Sequence, residues 1–175
     1  MLLIFANICG LISVLSFICS AGAKTEKSML KLQIVDTSFT VLSCGLLFGI
    51  GGVISGSIGL IRNILIYKNI KPFWLPIVIN GLLFSMGMFN MFIIEHSVIA
   101  IIPVVATMIY TTALFMDISY KQLKVALFIN IVLWLIYDFI MGNYTGGIGN
   151  TLAMINVFRS YICMSKSTVD VTSTI

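Results

Sequence analysis

The sequence predicts an all-α integral membrane protein: seven transmembrane helices, set as two parallel three-helix bundles joined by a linker helix. Three observations predict it. First, apolar residues make up 59% of the 175 residues and charged residues only 9%, against about 25% charged in a water-soluble domain; mean hydropathy is +1.12. So little polar material cannot coat a globule in water, which sets aside soluble enzymes, nucleic-acid binders and disordered tails in spite of a net charge of +4. Second, charged and turn-forming residues cut the chain into seven apolar runs. Third, residues that punctuate the first three runs recur in the last three at one fixed offset.

The runs are 2–22, 32–50, 52–67, 73–94, 98–116, 124–141 and 147–164. Each is close to the ~20 residues that a helix needs to cross a hydrocarbon core of about 30 Å. Lipid offers a bare amide no partner, so these runs read as helices. The first run ends at Ala21-Gly22-Ala23, which looks like a signal-peptide cleavage site. It has no basic segment ahead of it and is long enough to span, so it reads as a retained helix.

Eight of the ten basic residues are lysines in connecting segments: Lys24, Lys27 and Lys31 after run one, Lys68 and Lys71 after run three, Lys121 and Lys124 after run five, Lys166 after run seven. The alternate loops, Gly49 to Gly52, Glu95-His96-Ser97 and Gly142 to Gly146, hold neither lysine nor arginine. Basic residues of short loops stay cytoplasmic, which places the N-terminus outside and the C-terminus inside. Tyr67, Trp74 and Tyr120 suit an inner aromatic belt and Tyr144 an outer one. Pro76 and Pro103 are expected to kink runs four and five.

At an offset of 97, Lys24 falls on Lys121, Lys27 on Lys124, Gly45 on Gly142, Gly49 on Gly146, Gly52 on Gly149 and Arg62 on Arg159. The reading is a duplicated unit, with a first bundle at 1–68, a linker helix at 69–97, a second bundle at 98–166 and a cytoplasmic tail at 167–175. The odd fourth crossing restores the orientation of the second trio, and parallel repeats of this kind hold their site between the halves near the midplane.

Polar residues inside the runs name the candidate site. Gly52, Gly56, Gly59, Arg62 and Asn63 share one face of run three, and Gly149, Ala153, Asn156, Arg159 and Ser160 repeat it in run seven. Small residues let helix backbones approach. An arginine at membrane depth costs about 2.5–3.5 kcal/mol even on the gentler scale. Two readings stand for Arg62 and Arg159: they stretch to headgroups, or their forks face a cavity holding a polar or anionic solute. Asp36 lies at the depth of Arg62 and is a candidate partner for it. The repeat gives Arg159 Leu133 in that place, which makes Arg159 the freer anion contact. Asn130, Trp134 and Asp138 follow one face of run six. Trp134 reads as core filler or as a stacking wall for a ring-shaped solute, and Asp138 as a wetted residue or a coupling-proton carrier.

The remaining features carry less. Cys9, Cys19, Cys44 and Cys163 sit in apolar runs without a CxxC pattern and read as small buried hydrophobes. His96 reads as a solvated loop residue, and no metal or cofactor is implied. Asn143-Tyr144-Thr145 fits a glycosylation sequon, which matters only in a secretory pathway. No triad or phosphate loop supports catalysis.

The stretch from Leu47 through Gly56 to Arg62 and on to Phe73-Trp74 resembles the YgjV-type bacterial inner-membrane proteins. So do Ile102-Pro103-Val104, Ala113-Leu114-Phe115, Gly146-Gly147 and Asn156-Val157-Phe158-Arg159. The resemblance covers nearly the whole chain; its specific parts are the glycines, Pro103 and the Asn-x-x-Arg element. That family is similar to PQ-loop and SWEET-like carriers, whose 3+1+3 helices move sugars and other small polar solutes by alternating access. The resemblance implies a bacterial inner-membrane location and binding asparagines on the third and seventh helices. Asn156 and Arg159 match the Asn-x-x-Arg element. Gly59 stands where an asparagine is expected before Arg62, with Asn63 adjacent, and run one has Asn7 and Gly10 in place of a Pro-Gln pair.

The expectation is therefore a carrier without ATP. Arg62, Arg159 and Asn156 would hold a small polar or anionic solute, Trp134 and Asn130 would shape its pocket, and Asn63 and Asp36 are counted with them as substrate-binding residues. The lipid bilayer and a second copy of the chain are the expected neighbours, with no nucleic acid. The rival is a non-transporting membrane receptor or assembly protein whose glycine stripe serves packing alone.

Overall fold

The computed structural model describes residues 1–48, 50–94 and 98–172. Gly49, the expected outer loop Glu95-His96-Ser97 and the last three residues of the expected tail lie outside the described residues. Among the described residues the chain is all-helical: α1 (Leu2–Gly22), α2 (Glu26–Leu46), α3 (Ile50–Tyr67), α4 (Leu75–Phe89), α5 (Ile101–Phe115), α6 (Tyr120–Ile140) and α7 (Tyr144–Thr172). One π turn, Asn90–Ile94, extends α4, and a short 3₁₀ turn, Val98–Ala100, leads into α5. Leu2–Gly22, Leu75–Ile93 and Tyr120–Ile140 are long and apolar enough to cross a membrane, and Gly52–Tyr67 and Ile101–Phe115 are shorter apolar helices.

Four helices start earlier than their apolar runs, α2 and α6 by the most. Thr25 caps α2, its hydroxyl accepting the Ser28 N–H at 3.2 Å. Ser119 caps α6 in a capping box, in which Gln122 N–H donates to its hydroxyl at 3.3 Å and its own N–H donates to Gln122 Oε1 at 2.9 Å. These bonds satisfy first-turn amides, so polar segments expected as loops become helix. Lys27, Lys31, Lys121 and Lys124 consequently stand on helices. At the far end α7 runs on to Thr172, so residues 167–172 continue the helix rather than forming a tail.

The prolines do not kink their helices. Pro76 lies in the first turn of α4 and Pro103 in the first turn of α5, where an amide has no intrahelical acceptor to lose. The cysteines depart from expectation in burial: Cys19 and Cys163 are exposed and Cys9 and Cys44 half-buried. Thiols on the outer helix surface face the medium that also meets Leu3, Phe5, Ile61, Phe84, Phe139 and Phe158.

Neighbour relations repeat in the two trios. α2 packs against both α1 and α3, and α6 packs against both α5 and α7. α7 lies along α1, and α3 reaches α5, so six helices close a circuit; α4 packs outside it against α5 and α3. The exterior is apolar, while the buried set includes Arg62, Asn63, Gln33, Thr111, Lys124, Asn130 and Asp138. That inversion of the soluble pattern follows from lipid outside and polar groups needing partners inside.

Close approach of α4 and α5 depends on Gly87, because a methyl there would collide with both Cγ atoms of Val104. Gly81, on the same helix, has nothing within 4 Å of the corresponding position. Gly87→Ala is expected to lower stability by about 1–3 kcal/mol through overpacking. Gly81→Ala is expected to hold or raise it by up to about 1 kcal/mol through helix propensity. Thermal unfolding of the two purified variants checks the pair.

Candidate functional site

The six-helix circuit lines a chamber of about 450 Å³, within the range of about 300–1,000 Å³ typical of small-molecule sites. α1 contributes Ser13, Val14 and Phe17, and α2 contributes Gln33, Asp36, Thr37 and Thr40. Arg62 and Asn63 come from α3, Thr107 and Tyr110 from α5. The α6 wall is Leu127, Asn130, Trp134 and Asp138, and α7 supplies Gly146, Gly149 and Asn150. α4 contributes nothing to the lining.

Arg62 is 6% exposed. Its Nε and Nη2 donate to Asn63 Oδ1 at 3.1 and 3.0 Å, and its Nη1 donates to Thr111 Oγ1 at 2.8 Å. Its guanidinium carbon lies 5.5 Å from the centre of the Tyr110 ring, within cation–π range. Tyr110 is fixed in turn by Gln33, whose Nε2 donates to the phenol oxygen at 2.8 Å. Every one of these partners is neutral. Asn63 is 1% exposed, and its Nδ2 is buried without an acceptor. Three bonds leave two of the five guanidinium N–H groups unused, so Arg62 and Asn63 present spare donors beside the chamber.

The carboxylates are likewise held by neutral groups. Asp36 accepts from Ser13 Oγ at 2.6 Å and from Thr40 Oγ1 at 3.4 Å. Asp138, 3% exposed, accepts from Asn143 Nδ2 at 2.8 Å and Asn150 Nδ2 at 2.7 Å. The expected Asp36–Arg62 pair is therefore not formed. Among the described residues the ion pair is Lys71–Glu26, at 3.5 Å near the lysine-bearing end. Asn130, 8% exposed, stands on the chamber wall. Trp134 meets Tyr137 edge-on, with centroids 5.9 Å apart.

Five of the sequence-predicted residues thus gather around the chamber: Arg62, Asn63, Asp36, Asn130 and Trp134. Arg159 and Asn156 do not. Arg159 is exposed and off the lining, and Asn156 donates to Ile18 O at 3.1 Å. The reason is register. The two helix caps, Thr25 and Ser119, are 119 − 25 = 94 positions apart, and α2 and α6 both have 21 residues. At an offset of 94 three of the four α2 lining residues, Gln33, Asp36 and Thr40, fall on Leu127, Asn130 and Trp134, which also line the chamber, and Thr37 falls on Ile131 of the apolar core. Arg62 then falls on Asn156, and Arg159 stands three residues further along α7. Its neighbour Ser160 donates to Ala23 O, in the turn after α1, at 3.2 Å. Arg159 lies at the lysine-bearing boundary and not at depth.

Sequence reasoning passed over Tyr110, Thr111 and Asn150; the signal for the first two was a polar step, Tyr110-Thr111-Thr112, within an apolar run. It also placed Lys124 in a loop. Lys124 is fully buried and its Nζ donates to Ala21 O at 2.6 Å.

The chamber is closed at the lysine-bearing end by an apolar cluster that includes Ala21, Met29, Leu30, Ile66, Leu114, Leu123 and Leu127. Across that end run hydrogen bonds from the second trio to carbonyls at the end of α1: Lys124 to Ala21, Tyr120 Oη to Ala23 at 2.8 Å, Ser160 to Ala23 and Asn156 to Ile18. The carbonyls of Ala21 and Ala23, at and just past the last turn of α1, lack intrahelical donors and sit at its negative dipole end, so they accept readily. Towards the other end, Ser43 donates to Ala6 O within the first trio and Asn150 to Asp138 within the second. There the lining reaches Asn143, in the turn where Gly142 adopts φ +70°, a conformation that favours glycine. Among the described residues no group of three or more His, Cys, Asp or Glu is placed to hold a metal ion.

No curated protein and no solved structure matches the chain. A family model described as bacterial inner membrane protein matches residues 4–168, almost the full length of this apolar, all-helical chain. The chain belongs to the Imp-YgjV family of bacterial inner membrane proteins.

Proposed function

We propose that the protein is a multi-pass carrier that moves a small polar or anionic solute across the bacterial inner membrane by alternating access, without ATP. All seven helices cross the bilayer as two parallel trios joined by α4, a SWEET-like 3+1+3 arrangement, with the N-terminus outside and the C-terminus in the cytoplasm. The observation that carries the reading is Arg62: a buried guanidinium bonded only to neutral oxygens, beside a buried Asn63 donor with no acceptor, on the wall of a polar chamber. A buried charge without a counter-charge is costly, and a solute that brings an acceptor group relieves that cost. The cross-trio bonds at the lysine-bearing end support a state closed to the cytoplasm, and their release would open it.

The rival reading, a membrane receptor or assembly protein, draws on Gly52 and Gly56. A side chain at either would press on Cys44 or Val41 of α2, so that stripe packs helices rather than facing the chamber. The test is uptake into proteoliposomes holding the purified chain, across panels of carboxylates, phosphates, sugars and amino acids. A carrier gives uptake that Arg62→Lys lowers at least about tenfold, since lysine keeps the charge and loses the fork, while Arg159→Lys leaves it unchanged. Absence of uptake for every panel favours the receptor.

A further inference from the structure

Resting on the carrier reading, we infer that the transported solute is a zwitterion, its anionic group held by Arg62 and Asn63 and its cationic group facing Asp36. The chamber wall holds one guanidinium and two carboxylates, Arg62, Asp36 and Asp138, so its formal charge is 1 − 2 = −1. A plain anion would reach Arg62 through a field of its own sign. A plain cation would leave the donors of Arg62 and Asn63 unanswered. A solute with both charges meets both needs, because the wall itself keeps its opposite charges apart: Asp36 is tied to Ser13 and Thr40, Arg62 to Asn63 and Thr111.

Depth selects Asp36 over Asp138. Gly59 and Thr37 stand level on the antiparallel α3 and α2, where a Cβ on Gly59 would lie 3.8 Å from Thr37 Cγ2. Arg62 is three residues from Gly59 and Asp36 one residue from Thr37, both towards the lysine-bearing end. At 1.5 Å per residue the two sites differ in depth by about 3 Å. A short solute spans such a step. Asp138, joined to Asn143 and Asn150, stands nearer the lysine-free end, where it attracts the cationic end of an entering solute.

The test is calorimetric titration of the full chain in detergent with ω-amino acids from glycine to 6-aminohexanoate, each beside the alkyl carboxylate and the alkylamine of matched length. One length of zwitterion is expected to bind at least about tenfold more tightly than its matched carboxylate, a ratio equal to about 1.4 kcal/mol. Asp36→Asn, similar in shape to the carboxylate, is expected to erase that ratio and leave carboxylate binding in place. Carboxylates that bind as tightly as the zwitterions, or an Asp36→Asn protein that keeps the full ratio, overturn the zwitterion and leave an anion carrier standing. If no probe of any charge binds the wild type, the zwitterion falls, and the solute-site reading of the chamber falls with it. The wild-type comparison needs no variant to fold.

Discussion

Arg62→Met is expected to abolish uptake while changing the stability of the empty protein by no more than about 1–2 kcal/mol. The two outcomes separate because of what surrounds the guanidinium. In a structural ion pair, removing one partner strands the other charge in a dry interior at a cost of about 3–5 kcal/mol. Here nothing charged is stranded: the bonds lost end on Asn63 Oδ1 and Thr111 Oγ1. Their loss is set against the several kcal/mol that desolvating a guanidinium costs, and methionine fills the space with an unbranched chain. Binding has no such compensation. Truncating one partner of a buried, charge-assisted contact costs about 2–5 kcal/mol, which weakens the solute complex at least about thirtyfold. Proteoliposome uptake and thermal unfolding in detergent, measured on the same preparation, read both quantities. A variant that unfolds by more than about 3 kcal/mol, or one that still transports at the wild-type rate, would show that Arg62 holds the fold and not the solute.

The same physics explains what could be read from the sequence. Lipid forces apolar runs into helices, so the seven α-helices were legible as runs. Their starts were not, because hydropathy drops at the polar first turns of α2 and α6 although the backbone there is already capped by Thr25 and Ser119. The Ser119-x-x-Gln122 pattern carried that information, and hydropathy outweighed it. For the site, a polar residue in an apolar run must turn inward or pair, which is why Arg62, Asn63, Asp36, Asn130 and Trp134 were found. Matching charge to charge at 97 puts Arg159 in the place of Arg62, whereas the caps and bounds of α2 and α6 keep register at 94. A shift of three residues keeps a side chain within about 60° of the same helix face but moves it by about 4.5 Å along the axis, which carries Arg159 past the lining towards the boundary. Tyr110 and Thr111 went unseen because hydropathy treats tyrosine and threonine as nearly neutral, and their roles depend on Gln33 and Arg62, which are distant in sequence.

Removing the hydroxyls of Tyr120 and Ser160 together is expected to shift the protein towards a state open at the lysine-bearing end by about five- to 150-fold. Both hydroxyls donate to the same carbonyl, Ala23 O, at 2.8 and 3.2 Å, and both belong to the second trio while Ala23 follows α1, in the first. Each neutral bond is worth about 0.5–1.5 kcal/mol; the pair therefore supplies about 1–3 kcal/mol to the closed arrangement and nothing once the trios separate there. Lys124 is the less informative target. Its 2.6 Å bond to Ala21 O favours closure, but its burial as an ammonium opposes closure, and the two contributions cancel in part. In a background with the four native cysteines replaced by alanine, Ala113→Cys places a thiol in the last turn of α5, within the apolar cluster that seals this end. Its rate of labelling by a membrane-impermeant maleimide tracks the open population. Tyr120→Phe with Ser160→Ala is expected to raise that rate by the same factor, whereas Gly87→Ala, which loosens the α4–α5 contact without touching the seal, is expected to leave it near the wild-type value. Equal acceleration by both would mean that the bonds to Ala23 hold helices together generally rather than gating one end of the chamber.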